Sequence, residues 1–248
     1  LPIHGQIVNN EHLKTQGYLD EISRWTSAQK MHLNEEKTKA MIVNFTKKYQ
    51  FTARLKLNNT NIEIVDSMKI LGTTLNNQLN WDQNCKDIIR KVNKRMVFLR
   101  KIKSFGASKS EMVHLWIQYC RSVLEQSAVL WQGGLTEENR HSLERTQKSF
   151  VKLILGKKYK TYRQALLLLN LSTLEDRRDT LSIRWAKKCT ENEEVAHMFP
   201  LNKKKHKYNT RKKEKYIVFK ANTERMKRSP IIYMQHLLNK EYKETRNK

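Results

Sequence analysis

The hydrophobic positions of the chain change period once, near Trp81. Before it, residues 10–33 place Leu19, Ile22 and Trp25 on one face with charged residues opposite, which predicts a helix. Short apolar runs follow. Ala40–Phe45 leans toward strand, and Leu55-Lys56-Leu57 and Ile62–Val65 alternate on either side of the turn-forming Asn58-Asn59-Thr60, which predicts a hairpin. Lys69–Leu75 reads as one further strand-like piece.

From Trp81 onward the spacing is helical. Cys85, Ile88, Ile89, Val92, Met96, Leu99 and Ile102 recur at three- and four-residue steps, with Asn80 as the expected N-cap and Gly106 as the stop. A second helix is expected from Ser110 to Trp131, carrying Met112, Leu115, Trp116, Tyr119, Val123 and Leu124 and ending at Gly133-Gly134. A third opens at Thr136, with Glu137 and Glu138 in the first turn where the helix dipole favours anions. It carries Leu143, Phe150, Val151 and Ile154, and stops at Gly156. Three amphipathic helices on short connections form a bundle. Thr161–Leu169 and Thr173–Cys189 add two more, the latter opening with a Thr173-x-x-Asp176 cap. A short helix near Pro230–Asn239 closes the chain.

Composition sharpens this picture. With 7 Gly and 3 Pro in 248 residues the chain lacks the turn chemistry of an all-β protein. Lys and Arg number 49 against 24 Asp and Glu, a formal charge of +25. Such an excess repels itself in a compact fold, so an anionic partner is expected, and nucleic acid is the natural one because each neutralised phosphate releases counterions. No stretch approaches the roughly 20 apolar residues of a spanning helix, and no membrane or small-molecule partner is expected. The start, Leu1-Pro2-Ile3-His4-Gly5, has neither a signal peptide's basic opening nor an initiator Met, so the chain is expected to begin within a longer reading frame. Cys85, Cys120 and Cys189 are odd in number and widely spaced, which fits a reducing cytoplasm or nucleus and offers no zinc or disulfide framework.

The cations are not scattered. Lys86, Arg90, Lys91, Lys94, Arg95, Arg100, Lys101 and Lys103 ride one helix with Asp87 as the nearly solitary counter-charge. A solvated face is the usual meaning of a charge run. A one-signed face, however, is avoided by a merely soluble helix, because like charges one turn apart destabilise it. Phosphate contact, without base readout, is therefore expected of Arg90, Lys91, Lys94, Arg95, Lys101 and Lys103. Residues 201–215 hold a second block, including Lys203, Lys204, Lys205, Arg211, Lys212 and Lys213, that reads as a nucleic-acid-binding tail, a nuclear localisation signal or, less favoured, a membrane-surface patch. Tyr208 and Tyr216 are candidates to stack on unpaired bases, although such tyrosines more often pack. The adjacent pairs Glu35/Glu36, Glu137/Glu138, Glu175/Asp176 and Glu193/Glu194 diverge on a helix and suit capping or surface pairing better than metal binding.

Several strings together resemble a family. Trp25, then Met31-His32-Leu33-Asn34-Glu35-Glu36-Lys37-Thr38-Lys39 and Met41-Ile42-Val43-Asn44-Phe45, resemble the palm motif D block of LINE-type (non-LTR, jockey-like) retrotransposon reverse transcriptases. Lys69-Ile70-Leu71-Gly72 and Leu79-Asn80-Trp81 resemble the next block, motif E, whose hairpin grips the primer end. The helices between Trp81 and Gly156 resemble the thumb, closing on Trp131, Leu143-Glu144-Arg145-Thr146-Gln147 and Ile154-Leu155-Gly156. Leu171 through Arg178 matches the string that usually follows. The resemblance implies an α+β, mainly α fold: a residual palm β-hairpin segment over residues 1–75, a helical thumb bundle over 76–158, C-terminal helices over 159–199, and a basic tail with a short terminal helix over 200–248. It implies a motif D role for Lys37 as proton donor toward pyrophosphate, a primer-grip-like turn at Leu71 and Gly72, and RNA or RNA–DNA duplex as partner. A solvated lysine after a turn is the simpler account of Lys37.

The parent family polymerises DNA on RNA with Mg²⁺ held by aspartates, one set of them in a Tyr/Phe-x-Asp-Asp string. No Asp-Asp occurs in these 248 residues. The expectation is a truncated, reverse-transcriptase-like protein that grips nucleic acid, has no cofactor of its own and does not polymerise alone. A non-enzymatic helical RNA-binding or scaffold protein derived from such an element is the alternative.

Overall fold

The computed structural model describes residues 13–45, 54–202 and 214–246. The fold is α+β and mainly α, and among the described residues the short strands lie in the first third of the chain. It divides into two compact units, one ending at Asn80 and the other beginning at Trp81.

In the first unit, helix α1 (Leu13–Ala28) turns Leu19, Ile22 and Thr26 inward, while Trp25 points out with 55% of its surface exposed. The helix ends five residues before the expected limit of 33 because the chain reverses at Lys30, which adopts φ +56 and lets Met31 N–H close on Thr26 carbonyl. Among the described residues six short strands follow: β1 (Lys39–Ala40), β2 (Lys56–Leu57), β3 (Thr60–Asn61), β4 (Glu63–Ile64), β5 (Ser67–Ile70) and β6 (Thr73–Asn76). β2 and β3 form the expected hairpin, with Asn58 and Asn59 both at positive φ, the backbone that two-residue turns require. β1 lies parallel to β4, but residues 41–45 leave the sheet, so the predicted strand there is barely formed.

The run 69–75 is two strands instead of one. Leu71 (φ +47) and Gly72 (φ +88) fold β5 back on β6, pairing Ile70 with Thr73 and Ser67 with Asn76. Leu71 stands at the tip, 92% exposed. Leu19, Leu55, Leu57 and Ile62 make this unit's small core.

The second unit opens with helix α2 (Asp82–Ser104), whose core face is Cys85, Ile88, Val92, Met96 and Leu99. Its N-cap is Trp81, and Asn80 is instead held by Asn76, with which its backbone and side chain exchange hydrogen bonds. The helix stops at Gly106, φ +89, as expected. The helix expected over 110–131 runs without a break from Lys109 to Glu125, changing type within, and is interrupted once, at Gln126-Ser127. Helix α3 (Lys109–Leu115) begins at a capping box, the Ser108 hydroxyl accepting from Glu111 N–H and the Glu111 carboxylate from Ser108 N–H. A π-helical turn spans Trp116–Arg121, helix α4 covers Ser122–Glu125, and left-handed Ser127 separates it from helix α5 (Ala128–Trp131).

Helix α6 (Glu137–Leu155) is capped by Thr136 and ends at Gly156. Helix α7 (Tyr162–Leu168) is capped by Thr161 and α8 (Leu174–Thr190) by Thr173; the Asp176 carboxylate accepts from the Thr173 hydroxyl. Helix α9 (Glu224–Lys227) precedes α10, which starts at Pro230 and continues past the expected Asn239 to Arg246.

One large core joins α2 through α7, with the Trp116 and Phe150 rings stacked at its centre. A smaller one, Ala186, Cys189, Phe199, Tyr216, Met234 and Leu238, seals α8 against α10. Segments that read as separate stretches (76–158, 159–199 and the end of the chain) thus share one packed body from Trp81 onward. Among the described residues no helix is long and apolar enough to cross a membrane.

Candidate nucleic-acid interface

Helix α2 decides which of its cations face solvent, because five buried side chains fix its rotation. On the side away from that core, Lys86, Arg90, Lys94, Arg100 and Lys101 are exposed. Lys86, Ile89, Arg90, Asn93, Lys94 and Val97 share this open face. Asp87 sits within this row. It pairs with Arg90 at 3.1 Å and accepts from the Gln83 side-chain amide at the same distance, so one carboxylate offsets part of the positive field.

Lys91, Arg95 and Lys103 are half-buried. Arg95 stacks its guanidinium 4.4 Å from the Tyr119 ring centroid and donates to the Tyr119 carbonyl. Lys103 follows Met96 and Leu99 at helical spacing, so it falls beside the core, where its ammonium donates to the Leu153 carbonyl on α6. These two positions tie α2 to its neighbours, whereas Arg90, Lys94 and Lys101 point outward together. The sequence treated all of them as one set. Their separation was legible for Lys103 from its register with Leu99, but Arg95 depends on where Tyr119 lies.

Lys37 is exposed in the first unit. It follows a turn organised by Asn34, whose side-chain oxygen accepts from Lys37 N–H at 2.9 Å while the Asn34 carbonyl accepts from Thr38. The neighbouring Glu35 accepts from the Thr60 hydroxyl, and that hydrogen bond together with one from Asn58 holds its carboxyl below its ordinary value. Leu71 and Gly72 form the β5–β6 turn. Lys203, Lys204, Lys205, Arg211, Lys212 and Lys213, with Tyr208, lie outside the described residues. Tyr216 is buried against Met234 and Leu238 in the α8–α10 core, so it is a packing residue and not a stacking platform.

The polar interior of the second unit escaped the sequence reading. Gln147 is fully buried on α6, accepting from Trp116 Nε1 at 3.3 Å and donating to the Tyr162 hydroxyl and the Ser172 carbonyl. The Tyr162 hydroxyl donates in turn to Glu144, which also accepts from Leu174 N–H at the start of α8. Burial and that carboxylate push the Tyr162 phenol well up. Arg178 is also closed to solvent; burial presses its pKa down, against the pull of Glu144 and Glu175. Helical register was the available signal: Gln147 falls one turn from both Leu143 and Phe150, and Arg178 one turn from both Leu174 and Ser182, so each lies on the buried face of its helix.

The adjacent acidic pairs act partly as expected: Glu137 and Glu175 both pair with Arg140, the latter at 2.7 Å. Among the described residues no three His, Cys, Asp or Glu side chains gather closely enough to hold a metal ion. Compared with protein-family models, curated proteins and solved structures, the chain matches none of them.

Proposed function

We propose that this chain is a reverse-transcriptase-like segment of a LINE-type retroelement that binds RNA or an RNA–DNA duplex through phosphates and does not polymerise from these residues alone. One observation carries the binding: the outward row of α2, where Lys86, Arg90, Lys94, Arg100 and Lys101 are exposed and a single carboxylate, Asp87, stands among them. Such a row repels itself unless a polyanion lies along it. The family assignment is supported by the order of the motif-like strings. The absence of any Asp-Asp in the sequence supports the lack of polymerase chemistry.

The test is the salt dependence of affinity for an RNA–DNA hybrid, followed by fluorescence anisotropy. Engagement of five phosphates gives a slope of log K against log salt of about −4, from roughly −0.7 to −0.9 per contact. Reversing Arg90, Lys94 and Lys101 to Glu together should weaken binding to every sequence alike; an unchanged affinity removes α2 from the interface. A second reading, a non-enzymatic RNA-binding or scaffold module, is favoured by the second unit's own continuous core. The two part over whether the DNA upstream encodes an in-frame Tyr/Phe-x-Asp-Asp.

A further inference from the structure

Beside the cationic row of α2 lies an exposed aromatic pair that packing alone does not explain. Phe98 leaves 47% of its surface in solvent and Tyr119 leaves 42%. Their rings meet edge to face, 5.8 Å between centroids and 68° between planes. Phe98 stands one helical turn after Lys94 and one turn before Lys101. Tyr119 reaches it because the π-helical turn Trp116–Arg121 widens the helix: Trp116 and Cys120 stay fully buried, and Tyr119, expected on the apolar face, is rotated outward. Arg95 then braces Tyr119 with its guanidinium over the ring.

We infer that Phe98, steadied by Tyr119, is a base-stacking subsite for single-stranded RNA or DNA whose phosphates run over Lys94 and Lys101. The inference rests on the proposed nucleic-acid binding and narrows it to an unpaired segment. Every base has a π-face that an aromatic ring can cover, but in a duplex those faces are covered by neighbouring bases; only unpaired nucleotides can offer one. Cations alternating with an aromatic ring are the pairing that such strands need, charge for the backbone and a platform for the base.

The full chain would be titrated with two probes: an unstructured oligonucleotide carrying 2-aminopurine at its centre, and a hybrid duplex of equal length closed at both ends. Phe98→Ala is expected to weaken single-strand binding about tenfold, within the range of aromatic–base stacking, and to abolish 2-aminopurine quenching. Duplex affinity and the salt slope should stay as they were, and Phe98→Trp should retain single-strand affinity and quenching. If Phe98→Ala leaves single-strand affinity and quenching intact while charge reversal of Arg90, Lys94 and Lys101 still weakens both probes, phosphate binding stands and the stacking subsite falls. Equal loss on both probes also overturns the subsite, since no unpaired base is then being read. Failure of the unaltered chain to bind either probe in dilute salt overturns both proposals.

Discussion

Arg178 donates through Nε to Oε1 of Gln132, and both side chains are wholly shut off from solvent. Gln132 passes the interaction on, donating to Asp179 at 3.0 Å, and Asp179 also accepts from the Tyr233 hydroxyl at 2.6 Å. The guanidinium lies 5.5 Å from the Trp131 ring centroid, and neither of its terminal nitrogens has a hydrogen-bond partner among the described residues. A buried cation with so few bonds is held by its surroundings more than it stabilises them.

Removing one partner should therefore cost more than removing the charge. Gln132→Leu strands the guanidinium and is expected to destabilise the fold by about 3–5 kcal/mol, whereas Arg178→Met should cost far less or raise stability. Urea denaturation of both variants checks this. A Gln132→Leu variant as stable as Arg178→Met contradicts the account.

Lys101 and Lys103 should part company. Lys101→Met is expected to reduce the salt slope of nucleic-acid binding by about one contact's worth, roughly 0.7 to 0.9, with the melting temperature nearly constant. Lys103→Met should do the opposite: it removes the ammonium that donates to the Leu153 carbonyl, lowering stability by about 1 kcal/mol and leaving the slope alone. Paired melting and binding curves would show whether the two roles are interchanged.

Gly133 has no room for a methyl group. A Cβ there would sit 2.6 Å from the Tyr233 Cβ, which is fixed to the α10 backbone, and 2.7 Å from its Cγ. Gly133→Ala must push α10 away from α5, at a cost of about 1–3 kcal/mol. Calorimetry should record a melting point lower by several degrees, at roughly 2–4 °C per kcal/mol for a domain of this size. An unshifted transition would mean that α10 docks loosely.

The interior should also sense alkali. Burial raises the Cys85 thiol from 9.0 to about 12 and the Cys120 thiol from 9.0 to about 11. The native state thus keeps protons that the unfolded chain releases. Stability from these groups is complete below about pH 9 and is lost as pH rises toward 11 to 12. The urea midpoint should fall across that window. Cys85, Cys120 and Cys189, all buried, should resist an aromatic disulfide reagent at pH 8 until the chain is unfolded. Rapid labelling of the native protein would contradict this closed core.

Where the chemistry is local and periodic, sequence and structure agree. Cys85, Ile88, Val92, Met96 and Leu99 set the core face of α2 because a 3.6-residue repeat leaves them on one side. Thr136, Thr161, Thr173, Gly106 and Gly156 punctuate the helices through their own side chains or lack of one. The turn at Leu71-Gly72 was expected from the resemblance alone, because alternation does not register a two-residue reversal inside an apparently continuous strand. Tyr119 was misplaced because a π-helical turn departs from the repeat on which its assignment rested.

The amino-acid sequence alone determined the helical character of the second unit, most of its boundaries and the excess of cations, since each follows from residue type and near-neighbour spacing. Tertiary packing decided the rest. It drew Arg95 out of the cationic row of α2 by committing it to Tyr119, and it gave Lys103, already on the core side by register, its partner in Leu153. It also closed Arg178, Gln132 and Gln147 into an interior whose partners lie tens of residues away. Local periodicity marks which side of a helix is buried but not which residues meet there, because the partners come from other helices.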